Sequence, residues 1–160
     1  MDHSTGMLLY QDRPEYGQLV KLTSLIPVGL LLGGAYSWSS GEAEAGLVLF
    51  GEAFIIGLML WVLFPRAYEV FEDHLRIVLG GPFSVKVAFE NTRAIRITSK
   101  TLFTMNFVTR MTKSYVEIER KKGPSIAITP AAADSFVENA NRALEQWART
   151  KHGNAAGRFW

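Results

Sequence analysis

The chain has 160 residues, 48% of them hydrophobic, and a formal net charge of +2, which is room for one membrane anchor and one small domain. It contains no cysteine, which excludes disulfides, thiolate metal sites and cysteine nucleophiles. The small net charge hides a split: residues 1–64 carry two basic and six acidic residues, residues 65–160 fifteen basic and nine acidic ones.

Met1–Gln18 is polar, with more acid than base, and reads as an N-terminal cytoplasmic arm over residues 1–18. A cleavable signal peptide is not expected, because the apolar run that follows is longer than a signal core. Two such runs, Leu19–Trp38 and Gly46–Phe64, flank the small acidic stretch Ser39–Ala45. About 20 helical residues cover the ~30 Å hydrocarbon core of a bilayer. Lipid offers the backbone no hydrogen-bond partner, so each run has to be a helix. The pattern predicts a transmembrane hairpin over residues 19–64. Arg13 and Lys21 flank it on one side and Arg66 and Arg76 on the other, while the loop holds only Glu42 and Glu44. The positive-inside rule then places both termini in the cytoplasm of a multi-pass membrane protein.

Within the hairpin, Gly29 and Gly33, and Ala53 and Gly57, have the small-xxx-small spacing that lets helices approach closely. They pack either the two helices together or one face onto another membrane protein. Pro27 should kink the first helix or loosen its first turns. Trp38, Trp61 and Tyr68 fall near the expected headgroup levels and read as interfacial anchors. Glu52 lies about one-third along the second run, where a carboxylate costs ~2.5 kcal/mol or more. It must be protonated or paired, with Tyr36 in a tight hairpin or with a group on a neighbouring subunit. Two helices cannot enclose a pore, so transport is not expected.

After Phe64-Pro65 the pattern becomes alternating. It predicts strands at Ala67–Glu72, Leu75–Leu79, Phe83–Phe89, Arg93–Thr98, Phe103–Met111, Ser114–Arg120 and Ser125–Thr129, with Asp73-His74 as a turn. Ile95 and Ile97 should point inward, Glu117 and Glu119 outward. Thr129-Pro130 then suits the N-cap and first position of a helix. Phe136, Ala140, Leu144 and Trp147 make one apolar stripe along it.

Seven strands and a C-terminal helix form the pleckstrin-homology (PH) architecture. Tyr68–Ile77, Ala88–Ile95 and Val116–Pro130 with Phe136 resemble the bacterial PH-domain family, above all its membrane-anchored members. The resemblance covers about residues 66–150 and implies a tethered binding or scaffolding module with no catalytic residues. Photosynthetic-complex assembly factors are similar in architecture. Phosphoinositide-binding PH domains carry several basic residues on their first two strands and the turn between. Here the turn is Glu72-Asp73-His74, followed only by Arg76, so that kind of headgroup recognition is not implied.

The fold expected is therefore a two-helix transmembrane hairpin plus a small α+β PH-like barrel of seven strands and one C-terminal helix over residues 65–150, then a tail over residues 151–160. His3, His74 and His152 have no ligand spacing, and no phosphate loop or nucleophile elbow appears. No cofactor, metal, catalytic residue, small-molecule substrate or nucleic acid is expected. Arg93, Arg96 and Lys100, and Arg120, Lys121 and Lys122, are the candidate basic contact surface, for an acidic partner or anionic lipid. The function these features suggest is a non-catalytic accessory subunit, or assembly and stabilising factor, of a larger membrane complex of photosynthetic or respiratory type. Its partners would be other integral membrane proteins and the bilayer. The alternative is a tethered module sensing anionic lipid.

Overall fold

A computed structural model describes residues 6–99, 104–110 and 112–156. Strand β1, Leu8–Asp12, lies before the apolar helices, yet it pairs antiparallel with β2, Ala67–Phe71, which lies after them. The helical hairpin is therefore an insertion between two neighbouring strands of one sheet. The expected cytoplasmic arm is in part a strand, and the described residues hold eight strands instead of seven. The sequence Leu-Leu-Tyr-Gln-Asp lacks strict alternation, because an edge strand with only Tyr10 and Asp12 half-buried needs none.

The first helix is in two pieces, α1 (Gln18–Thr23) and α2 (Ile26–Ser39). The break falls just before Pro27, which has no N–H to continue the ladder; Leu25 bonds back to Leu22 O instead, at 3.0 Å. The hydroxyls of Thr23 and Ser24 donate to Leu19 O and Lys21 O, so the break leaves these polar side chains satisfied. Helix α3 runs Ala43–Leu63, so the loop is only Ser40–Glu42, with Gly41 at φ 88°. By length and composition Gln18–Ser39 and Ala43–Leu63 could each cross a membrane, and almost none of either is covered by the rest of the chain.

The hairpin packs most closely at Gly34 and Gly46. A Cβ on Gly46 would lie 3.0 Å from Gly34 O, and one on Gly34 2.9 Å from the Phe50 ring. Ala53, as expected, is buried on the same seam. Gly33 and Gly57 make only ordinary contacts, with Leu49 and Pro27, and Gly29 faces open space. Gly29 therefore does not pack the hairpin's own two helices together, as expected of it; the close approach falls at Gly34, the residue after Gly33. Gly46→Leu should force the helices apart, costing ~1–3 kcal/mol as overpacking does, whereas Gly29→Ala should be near neutral. Thermal unfolding of the two variants in mild detergent checks this.

Sheet one runs β1–β2–β3–β4, with β3 at His74–Val78 and β4 at Ser84–Ala88. A 3-10 turn, Phe89–Asn91, leads into β5, Thr92–Thr98. Sheet two runs β5–β7–β8–β6, from β6 (Thr104–Phe107), β7 (Tyr115–Arg120) and β8 (Ser125–Ile128), with β6 parallel to β8. Helix α4, Ala133–Ala156, packs on β5, β1 and β2. Its expected stripe is real: Phe136 and Ala140 are buried, and Leu144 and Trp147 pack against the core. The helix begins later than Thr129-Pro130 implied and runs into the expected tail. Thr129 is not its cap. Asp12, on β1, accepts from Ala132 N at 2.9 Å, a capping bond from the far end of the sequence.

The alternation places most side chains as expected: Leu75, Ile77, Val87, Ile95, Val116 and Ile126 are all buried. Two differ. Ile97 is exposed because an open cleft separates it from Ala131–Ser135 at the start of α4. Glu117 is buried, because Arg96 lies across it on the neighbouring strand at 3.3 Å.

Candidate functional site

The site with the most built structure is the junction where the hairpin leaves the barrel. On entry, Glu15 N–H donates to Thr129 O (3.0 Å) and Gly17 N–H to Thr109 O (2.9 Å). The Thr109 hydroxyl donates to Glu15 O (2.7 Å) and lies 2.9 Å from that of Thr129, with both residues buried. The Glu15 carboxylate pairs with Arg110 at 2.6 Å. On exit, Arg66 N–H donates to Val78 O (2.6 Å), and its guanidinium stacks 5.2 Å over Trp61. Tyr16 joins the two ends: its hydroxyl donates to Pro65 O, and its ring meets Phe64 edge-on. Gly80 closes the base. A Cβ there would fall 1.7 Å from Trp61 O, so only glycine lets the β3–β4 turn lie against α3. Buried hydrogen bonds and close backbone contact of this kind hold two bodies in one geometry.

None of Glu15, Tyr16, Thr109 or Arg110 stood out in the sequence. The Tyr16-Gly17 pair just before the first apolar run was the available signal, and it carries no periodicity.

Tyr68 is corrected from anchor to core. It is 1% exposed, donates to Phe107 O at 3.1 Å and meets Phe136 edge-on. Burial pushes its phenol up to about 12, against smaller opposing hydrogen bonds at Thr129 and Thr109, so it stays a neutral donor. Trp38 and Trp61 stand exposed near opposite ends of the hairpin.

Tyr36 and Glu52 are both exposed, and no hydrogen bond joins them among the described residues. The reason is register. Gly34 lies against Gly46 and Pro27 near Gly57, which brings Leu30 level with Glu52. Tyr36 is then about 9 Å nearer the loop. The intrachain pairing expected of these two residues is not made.

The candidate basic surface divides. Arg93 pairs with Glu119 (3.2 Å) and Arg96 with Glu117 and Glu119 (3.3 and 3.4 Å). Arg120 donates to Pro124 O (2.6 Å) and closes its own turn. Lys121 and Lys122 are exposed, and their ammonium groups make no ion pair among the described residues. Lys100 lies outside the described residues. β8 starts at Ser125 and ends at Ile128, next to Thr129 at the hairpin junction. At about 3.4 Å per residue, the Lys121-Lys122 turn sits at the opposite end of that sheet, more than ~10 Å from the junction.

His74, expected in a turn, is fully buried in β3, stacked on Phe71 at 4.6 Å and bonded to Asp73 at 2.5 Å. Burial alone would raise the Asp73 carboxyl. The His74 hydrogen bond and charge, with Lys86, outweigh it and hold the carboxyl below its usual range. A depressed carboxyl contributes stability above its ordinary value and loses it as pH falls through the folded one. Asp73→Asn should therefore flatten the acid side of the stability profile, read as melting temperature against pH in detergent.

Comparison with curated proteins and with solved structures returns no match. The family model described as Bacterial PH domain matches residues 66–141. That span begins at Arg66 in the junction, covers β2 to β8 and ends within α4. PH domains are in general non-catalytic binding modules. Residues 66–141 of this chain match the bacterial PH domain model, and two apolar helices that could be membrane anchors lie ahead of them.

Proposed function

We propose that the chain is a non-catalytic accessory subunit, or assembly and stabilising factor, of a larger protein complex in the bacterial inner membrane, with its PH domain and both termini in the cytoplasm. The observation that carries this reading is the inserted hairpin. A domain pinned on both sides of its membrane anchor keeps one orientation to the bilayer, which suits a scaffold that must meet other membrane proteins in fixed geometry. The apolar faces of α2 and α3 are uncovered over most of their length, which supplies surface for such contacts. Lys21 and Arg66 at the base and Glu42 and Glu44 at the loop fit the inward orientation.

The position of Lys121 and Lys122 favours a protein partner over lipid for that turn, because it faces away from the hairpin end of the sheet. The test is purification of the full chain from its native membrane in a gentle detergent, with partners identified by mass. Stoichiometric integral membrane proteins are expected. Recovery of the chain without them, together with salt-sensitive binding to vesicles of anionic lipid that Lys121→Glu/Lys122→Glu abolishes, would replace this reading with lipid sensing.

A further inference from the structure

Glu52 stands nine residues after Ala43 and eleven before Leu63, at the middle of α3. Its side chain is exposed on the outer face of the hairpin. Val48, Ile55 and Met59 are exposed with it, and the four recur at spacings of four, three and four, the stripe of a helix–helix seam. Next to it, Gly51 has nothing within 4 Å of a Cβ position, so a second backbone can come close.

The geometry points to a parallel, two-fold contact between two copies of this chain along α3, in which the Glu52 carboxyls of the two copies hydrogen-bond to each other. The inference rests on the reading that the hairpin crosses the membrane. A carboxyl facing hydrocarbon has to find a partner, and at its depth α2 offers only leucine. Between Lys21 and Arg66 the chain has no basic residue. A second copy supplies what is missing without a new residue. Because β1 and β2 share a sheet, the hairpin enters and leaves on one side. Every copy then inserts alike and brings its own Glu52 to the same depth. Two protonated carboxyls satisfy one another through a pair of O–H···O bonds. A single polar residue in such a seam also fixes its register, so both PH domains would be held side by side.

The chain contains no cysteine, so single-cysteine variants report contacts without background. In membranes, Ile55→Cys should form a disulfide-linked dimer on oxidation, and Phe54→Cys, exposed on a different face, should not. In detergent, Glu52→Leu should weaken self-association about tenfold and Glu52→Gln, which keeps donor and acceptor, far less. Equal cross-linking at both positions, no cross-linking at Ile55→Cys, or unchanged association in Glu52→Leu overturns the contact. Alkaline extraction separates the two ideas. A chain that stays in the membrane as a monomer sinks the pairing alone, leaving Glu52 to another protein. A chain released into solution sinks the membrane reading as well.

Discussion

Replacing Phe136 by alanine is expected to cost the PH domain about 3–5 kcal/mol, the usual penalty for removing a buried aromatic ring from a packed core. The ring is 1% exposed and meets Tyr10 and Tyr68 edge-on, with centroids 6.3 and 6.2 Å away. It therefore joins three parts of the chain that lie far apart in sequence: β1 before the hairpin, β2 after it, and α4. Domains of this size have a total stability of ~5–15 kcal/mol, so the loss is a large share of it. Denaturant unfolding of the full chain in mild detergent gives the number. A loss below ~1 kcal/mol would mean that α4 does not close the core.

Removing β1, by deleting residues 6–12, is expected to be worse. It strips the ladder from β2, takes away Tyr10 from Phe136 and removes the Asp12 carboxylate that caps α4 at Ala132. Each hydrogen bond lost is worth ~1 kcal/mol net, and each buried group left without a partner ~1–3 kcal/mol more. The sum reaches the stability of the domain, so the truncated chain should keep its apolar helices and carry an unfolded domain beside them. Limited proteolysis reads this directly: the intact chain should yield a resistant fragment containing residues 66–141, and the truncated one should not. A truncated chain that keeps the fragment would show that the PH domain stands without its first strand.

The helices and seven of the strands were legible because each is a local pattern. Continuous apolarity gives Gln18–Ser39 and Ala43–Leu63, and period-two alternation gives β2 to β8. The stripe Phe136, Ala140, Leu144 and Trp147 was equally plain, since a helix needs one covered face. What escaped depends on contacts across the sequence. β1 is a strand because β2 offers it an edge, and nothing inside Leu-Leu-Tyr-Gln-Asp announces that partner. Tyr68 looked like an anchor from its distance to Phe64, yet β2 is buried along its whole length between β1 and β3 and under α4. Gly29 and Gly34 lie five residues and about 140° apart around a helix. Spacing alone does not say which of them meets α3. Tyr36 and Glu52 fail to meet because register, set at Gly34 and Gly46, lies outside either helix's own pattern.

The claim on which the rest depends is that a membrane hairpin interrupts a PH domain between its first two strands. Labelling single cysteines with an impermeant maleimide in sealed, right-side-out and inverted membrane vesicles tests it most directly. Gln11→Cys on β1 and Lys122→Cys in the β7–β8 turn should react from the cytoplasmic side, and Ser40→Cys in the α2–α3 loop from the other. Reaction of Gln11→Cys on the same side as Ser40→Cys, or of all three from one side, would contradict the account.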